Sequence, residues 1–459
     1  MRRLLWFVAI MLCFSQVAVA YTTKAYTLKN GLHLLVKVDR RAPVAIFQIW
    51  YRVGGSYEHN GTTGISHVLE HMMFEGSKHY PHHIFDKLIT ENGGQSNAFT
   101  TDDYTAYFEK LSANKIALSF KLESDRMQNA LLSNNAFKKQ IQVVMEERRM
   151  RFDNQPSMLL YERLRAVAFL SNPYHHLTIG WMGDLQQLTA PEVRAWYHRW
   201  YVPNNATIVI VGDVDPAAML RLTKKYFSHI QKRVLPIAKT VVIQKPLGQR
   251  SVSIALPAKV PYLFMAYNVP TLTTAKIKWQ PYALDVLAAL LAGSDSSRLP
   301  RILVRGQQLA AGINADYNSG ARYNTLFMIA AIPSKQHTLL ELKKAILQQI
   351  KHLQTMPVSH SELARVKMQI VAGKIYSEDS LDAQAQQLGS IVSVGLPWQL
   401  ANTYVKNIQQ VTVAQVQTVA KQFLQKQRLT IGMLHPLAMV HHREIQGSDV
   451  ALTAHGVNQ

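Results

Sequence analysis

The apolar residues of this chain follow two patterns. Continuous runs, Val44 to Val53 and Tyr262 to Val269, have the length and composition of strands. Thr207 to Gly212, before Asp213, and Leu429 to Leu434, before Pro436, are further buried-strand runs that each end in a turn. Other stretches repeat at helical spacing. Between Gly64 and Glu75, positions Ile65, Val68, Leu69, Met72 and Met73 fall on one face of a wheel turned about 100° per residue, and Gly76 supplies the stop signal. Gln140 to Arg149 reads as a helix with Ile141, Val144 and Met145 on its apolar side. Strand runs mixed with long helices predict an α+β fold.

The pattern runs its course twice. Each half opens on strand-like runs, continues with helices and closes on a buried strand, which predicts two α/β-sandwich halves, each a mixed sheet packed with helices. The stretch 231–250 is basic, holds Pro236 and Pro246, and has no helical period, so it reads as a linker between residues 21–230 and 251–438. Residues 439–459 have little periodicity and read as a loose tail.

Composition changes little in this picture. With 48% apolar and 17% charged residues the chain is a folded protein. Residues 1–20 are set apart: Arg2 and Arg3, the apolar stretch Leu4 to Phe14, and Ala18-Val19-Ala20 form a signal peptide, so the chain is expected to be exported, to the periplasm or beyond. The single cysteine, Cys13, lies inside that segment, and Leu12 before it is too large for a lipoprotein cleavage site. No later run approaches 18 uncharged apolar residues, so no stable membrane insertion is expected. The formal charge of +21 raises the question of nucleic acid, but the basic residues are scattered and no nucleic-acid-binding motif accompanies them.

The chemistry stands on the helix 64–75. His67, Glu70 and His71 fall opposite the apolar face, with Phe74 beside them. The apolar face explains how the helix is held; it does not explain three titratable groups on the other side. His-x-x-Glu-His is the inverted zinc-peptidase spacing. A catalytic zinc takes three protein ligands and keeps one open position, so a third ligand must come from elsewhere. The helix 140–149 offers Glu146 and Glu147 as candidates; they point about 100° apart, so only one of them serves. Other histidines carry less: His79, His82 and His83 flank Pro81 on a loop, and the adjacent pairs His175-His176 and His441-His442 do not face one site.

These residues resemble the pitrilysin, insulin-degrading enzyme and mitochondrial processing peptidase family of zinc metallopeptidases, in its compact bacterial branch. The resemblance rests on Gly64 to Gly76 (GISHVLEHMMFEG), Gly93 to Phe108 (GGQSNAFTTDDYTAYF), the Glu146-Glu147 pair and Ile210 to Asp215 (IVGDVD), and covers nearly the whole chain after residue 20. It implies a clam-like chamber between the halves, and one Zn²⁺ per chain on His67, His71 and Glu147. It also implies Glu70 as the proton carrier for a zinc-activated water, and an edge strand, Asn97, Ala98, Phe99 and Thr100, to which a peptide or unfolded segment adds as a further strand.

Two departures from the family pattern stand out. Gln140 sits where many active members carry a glutamate, two turns before the metal ligand on the same helix face; it tunes a ligand from outside without adding charge. In the second half, Val304 and Ala311 stand where an arginine and a tyrosine are expected, with Arg305, Tyr317 and Tyr323 as substitutes only in a shifted register. Arg298 matches a family position but reads equally as structural. The resemblance then implies a division of labour, in which this chain bears the metal in a heterodimer and a sister subunit supplies the arginine and tyrosine. The alternative is a non-catalytic scaffold subunit of the same family.

Overall fold

The computed structural model describes residues 23–81, 83–236 and 248–438. The segment read as a signal peptide, Cys13, His82, most of the stretch read as a linker, His441-His442 and the residues read as a tail fall outside the described residues.

Six strands of the first half, β1 (Thr23–Thr27), β2 (His33–Val38), β3 (Val44–Tyr51), β4 (Gln95–Thr100), β5 (Thr105–Ser112) and β6 (Ala206–Gly212), form one sheet in the order β1-β2-β6-β3-β5-β4. Five strands of the second half, β7 (Arg250–Pro257), β8 (Tyr262–Val269), β9 (Ala310–Tyr317), β10 (Thr325–Pro333) and β11 (Leu429–Leu437), form another in the order β7-β11-β8-β10-β9. Each sheet is mixed: β2 with β6 and β7 with β11 are parallel, and the other pairs are antiparallel. Without β1 the two orders are the same, so the twofold course seen in the apolar pattern is a repeat of topology.

The runs 44–53 and 262–269 are β3 and β8, as expected, but they do not open their halves. Strands β1, β2 and β7 come earlier; β7 alternates half-buried and exposed positions along its length and starts at Arg250, inside the stretch read as linker. The predicted turn before Pro436 is also displaced, because β11 runs on to Leu437. Beyond Leu434 it pairs only with β7, so the proline lacks no N–H that β8 would have used.

Helices of the first half are α1 (Ile65–Met73), α2 (Ile84–Glu91), α3 (Ala117–Asn129), α4 (Asn134–Arg148), α5 (Pro156–Ala168), α6 (Met182–Gln187), α7 (Ala190–Trp200) and α8 (Pro216–Phe227). Those of the second are α9 (Gln280–Ala292), α10 (Leu339–Thr355), α11 (His360–Ser377), α12 (Leu381–Ser393), α13 (Leu400–Gln409) and α14 (Val413–Phe423). Alternation along the strands gives each sheet two apolar faces. On the first sheet, Phe47, Ile49, Tyr51, Ile208 and Ile210 meet α1, α4 and α7 of the same half. Ile46, Trp50, Val209 and Val211 face the other way and meet Ala385 and Leu388 of α12, a helix of the second half. The second sheet mirrors this. Leu263, Met265 and Tyr267 pack on α9 and α10, while Phe264, Ala266 and Leu434 meet Leu160 and Leu164 of α5, a helix of the first half.

The halves therefore exchange a helix, and each sheet is closed by the other half. The exchange is tight at both ends. A Cβ on Gly389 of α12 would lie 2.0 Å from the Trp50 ring, and one on Gly432 of β11 would lie 3.2 Å from Leu160 and Leu164.

Candidate metal centre

Helix α1 is held from below and capped from behind. Ile65, Val68, Leu69, Met72 and Met73 are all buried, which stabilises its seat by about 1.5–3 kcal/mol per side chain. Its N-cap, Gly64, has φ +89°, and a Cβ there would meet the Ile179 carbonyl at 2.5 Å, so only glycine fits. No side chain of the helix caps it. Instead the buried Glu58 accepts from Gly64 N–H at 2.7 Å and Ser66 N–H at 2.9 Å, placing a carboxyl at the positive end of the helix dipole. Burial pushes Glu58 up to about 8, against the pull of those two donors.

On the opposite face, His67 and His71 stand one turn apart with rings at 83° and centroids 4.8 Å apart. Helix α4 crosses in front and brings Glu147 to them; Glu146 turns away to an exposed pair with Arg149 at 2.9 Å. Glu147 Oε2 lies 3.6 Å from His67 Nε2 and 3.3 Å from His71 Nε2, and the three ligand atoms fall within 4.8 Å of one another. Tetrahedral zinc with bonds of about 2.0–2.1 Å sets its ligand atoms about 3.3 Å apart. The two Glu147–histidine separations lie close to the edges of such a site. The other Glu147 oxygen, Oε1, takes Arg151 at 2.5 Å, leaving Oε2 to the histidines.

The electrostatics favour the same assignment. Burial lowers His67 to about 4, so it is neutral and keeps its lone pair. Glu147 is pulled down to about 2, first by its hydrogen bond with His71 and also by His67 and Arg151 nearby. Burial raises Glu70, which is buried, while the Thr100 hydroxyl donates to its Oε2. A carboxyl raised towards neutrality and fixed by one donor is poised to exchange a proton.

Gln140 lies where a ligand can be tuned. It hydrogen-bonds His71, and its Nε2 donates to Glu75 Oε1 at 2.5 Å, with Lys139 Nζ on the same oxygen at 3.3 Å. Glu75 thus places a carboxylate directly behind the amide at 140. Sequence reasoning overlooked Glu75, which lies in the turn just beyond the end of α1. Arg151, four residues after Glu147, was legible by helical spacing.

Strand β4 is the sheet edge beside α1, and among the described residues it pairs only with β5. Its side chains alternate: Ala98 and Thr100 face α1, whereas Phe99 packs on Trp50 and Tyr104 at centroid distances of 5.4 and 6.4 Å on the other side. Asn97 Oδ1 accepts the Ala98 N–H at 2.8 Å.

The second half is not seen to bring the expected arginine and tyrosine. Val304 packs on the second core, Ala311 lies within β9, and Arg305 donates to the Asp295 carbonyl at 2.7 Å. Tyr317 donates to the Pro270 carbonyl at 2.5 Å, and the Tyr323 N–H donates to the Tyr174 hydroxyl at 3.1 Å. Arg298 pairs with Glu362 at 2.6 Å inside the second half. His79 is paired with Asp125 at 2.6 Å, His175 with Asn60 at 2.9 Å, and neither joins a metal-binding group.

Known proteins share both the sequence and the fold. Residues 34–180 match the family described as Insulinase (Peptidase family M16), and residues 187–370 match the Peptidase M16 inactive domain. The zinc protease PqqE of Helicobacter pylori is 32% identical over 349 residues, covering 75% of this chain and 78% of its own. The mitochondrial-processing peptidase subunit beta of Lentinula edodes is 24% identical over 422 residues, 88% of this chain and 87% of its own. The crystal structure of a protease from Helicobacter pylori matches with a TM-score of 0.85 at 29% identity, over 90% of this chain and all of that one. The periplasmic protease PqqL of Escherichia coli shares the fold, with a TM-score of 0.75 at 19% identity over 90% of this chain and 47% of that one. A relative this similar over most of both chains, with an intact ligand cluster at the inverted motif, leaves one conclusion: the chain belongs to the insulinase family of zinc metallopeptidases, peptidase family M16.

Proposed function

We propose that the chain is an exported zinc endopeptidase that cuts peptides or unfolded protein segments, and that it is the metal-bearing subunit of a heterodimer. The observation that carries the reading is the convergence of His67 Nε2, His71 Nε2 and Glu147 Oε2 at ligand spacing beside the enclosed carboxyl of Glu70. His67, His71 and Glu147 would hold one zinc, which when bound supplies acidification of a water and polarisation of the scissile carbonyl. Glu70 accepts the water proton and returns it to the leaving amine. Thr100 holds the Glu70 carboxyl at one oxygen, so the other is free for that transfer. Gln140 and Glu75 orient His71 from behind. The peptide lies along β4 as an added strand, bound through backbone groups, with Asn97 giving up its bond to the Ala98 N–H as it arrives.

Export rests on the leader-like residues 1–20. The heterodimer rests on Val304 and Ala311, which leave this chain without the side chains that steady an oxyanion, and on a relative named as one subunit of a processing peptidase. The same two residues favour a second reading, a scaffold subunit; the complete set of His67, Glu70, His71 and Glu147 favours the enzyme. Turnover of an unfolded polypeptide by the zinc-loaded chain, alone and mixed with its sister subunit, tests this. Turnover is expected only in the mixture, and to fall by about 10²-fold or more with Glu70→Gln. Full activity of the monomeric chain contradicts the heterodimer; no turnover in either case contradicts the enzyme.

A further inference from the structure

The two halves meet around a cleft of about 680 Å³ that the catalytic cluster does not use. Trp50, Phe99 and Tyr104 of the first half and Asp285, Tyr317 and Tyr404 of the second stand in its wall. Its place in the fold is set by the repeat. Matching the buried faces of α1 and α9 pairs Ile65 with Ala283, Val68 with Val286, Leu69 with Leu287, Met72 with Leu290 and Met73 with Leu291, all buried. That register sets Asp285 opposite His67, Ala288 opposite Glu70 and Ala289 opposite His71. At these positions the second half has two alanines and one acid, Asp285, in place of His67, Glu70 and His71.

Asp285 is partly open to the cleft. The Tyr404 hydroxyl donates to its Oδ2 at 3.3 Å and Ser319 also bonds it, but among the described residues it has no cationic partner. Burial pushes its carboxyl up to about 7, with Asp316 nearby adding to the rise. The other charged side chain of the wall, Lys374, is already engaged by Glu378, by Gln387 at 2.5 Å and by Ser377 at 3.5 Å. The ionisable group left without a counter-ion is therefore the Asp285 carboxyl, and it sits among aromatic rings.

The cleft also lies on a peptide's route. A strand laid along β4 must alternate its side chains as β4 does. Those on the Thr100 side point towards the metal cluster, and those on the Phe99 side point towards the cleft. We propose that this cleft is a subsite for a cationic side chain, lysine or arginine, of the bound peptide, with Asp285 as its counter-charge and the aromatic wall as its lining. The proposal rests on the peptidase reading for the position of the peptide, and on the cleft itself for its chemistry.

The test uses the zinc-loaded full chain carrying Glu70→Gln, so that peptides bind without being cut. Peptides identical except for arginine or its neutral isostere citrulline at one position are scanned along their length, and Kd is measured for each. At one register arginine is expected to bind about tenfold tighter or better than citrulline, as one charge-assisted pair provides. Asp285→Asn is expected to bring that ratio to about one. A ratio near one at every register in the unmutated cleft overturns the subsite, and this result needs no variant to fold. So does a preference that survives Asp285→Asn. The two readings fail separately. Cleavage by the wild-type chain without any arginine preference removes the subsite alone. An arginine preference that depends on Asp285, in a chain that with its sister subunit cuts nothing, removes the peptidase reading alone.

Discussion

The first half presents His67, Glu70 and His71 on α1, and the second presents Asp285, Ala288 and Ala289 on α9, from helices seated in the same way on sheets of the same strand order. The difference shows what this fold constrains. Packing requires the apolar faces, and both halves keep them buried throughout. The opposite faces are free of that demand, and only one of them carries a donor set that fits zinc. The two halves also depend on each other, because α5 and α12 close each other's sheets.

The comparison is broken most severely at Glu70. Glu70→Gln should retain zinc and lower kcat by about 10²–10⁴-fold, the usual contribution of a positioned proton carrier; zinc content and turnover on one peptide measure it. The next largest effect lies in the helix exchange. Gly389→Val should destabilise the chain by about 3 kcal/mol, since the fully buried Trp50 ring has nowhere to move, and denaturant unfolding reads the loss. Gln140→Leu should weaken zinc binding by about 10–100-fold, as removal of an outer hydrogen bond to a ligand does, while leaving the unfolding midpoint of the metal-free chain near that of the parent. The smallest effect is expected at the mirror-image contact: Gly432→Ala meets Leu160 and Leu164 at 3.2 Å, flexible side-chain ends that can give way, and should cost under about 1 kcal/mol. Equal losses at Gly389 and Gly432 would mean that the two exchanges are tighter partners than their contacts imply.

Much of this was legible from spacing alone. The helix around His67, the strands β3, β6 and β8, and the turn at Gly76 follow from periodicity, because each buries one side of itself locally. Strands β1 and β2 were overlooked because each is short, and β7 because its alternation lies in a stretch rich in basic residues and proline. The helix exchange leaves no mark in the sequence. The apolar face of α5 or α12 says that a partner exists, not which sheet provides it. For the same reason Glu147 could be placed in a helix but needed the fold to bring it to α1, and Asp285 stands out only when the two halves are set side by side.

Zinc content and turnover measured together on one preparation test the central claim most directly. The account predicts one zinc per chain in the wild type and in Glu70→Gln, less in Glu147→Ala, an unchanged content in Glu146→Ala, and turnover in the presence of the sister subunit for the wild type and Glu146→Ala alone. A wild-type chain that takes up no zinc, or a zinc-loaded Glu70→Gln chain that cuts peptide at the wild-type rate, would contradict it.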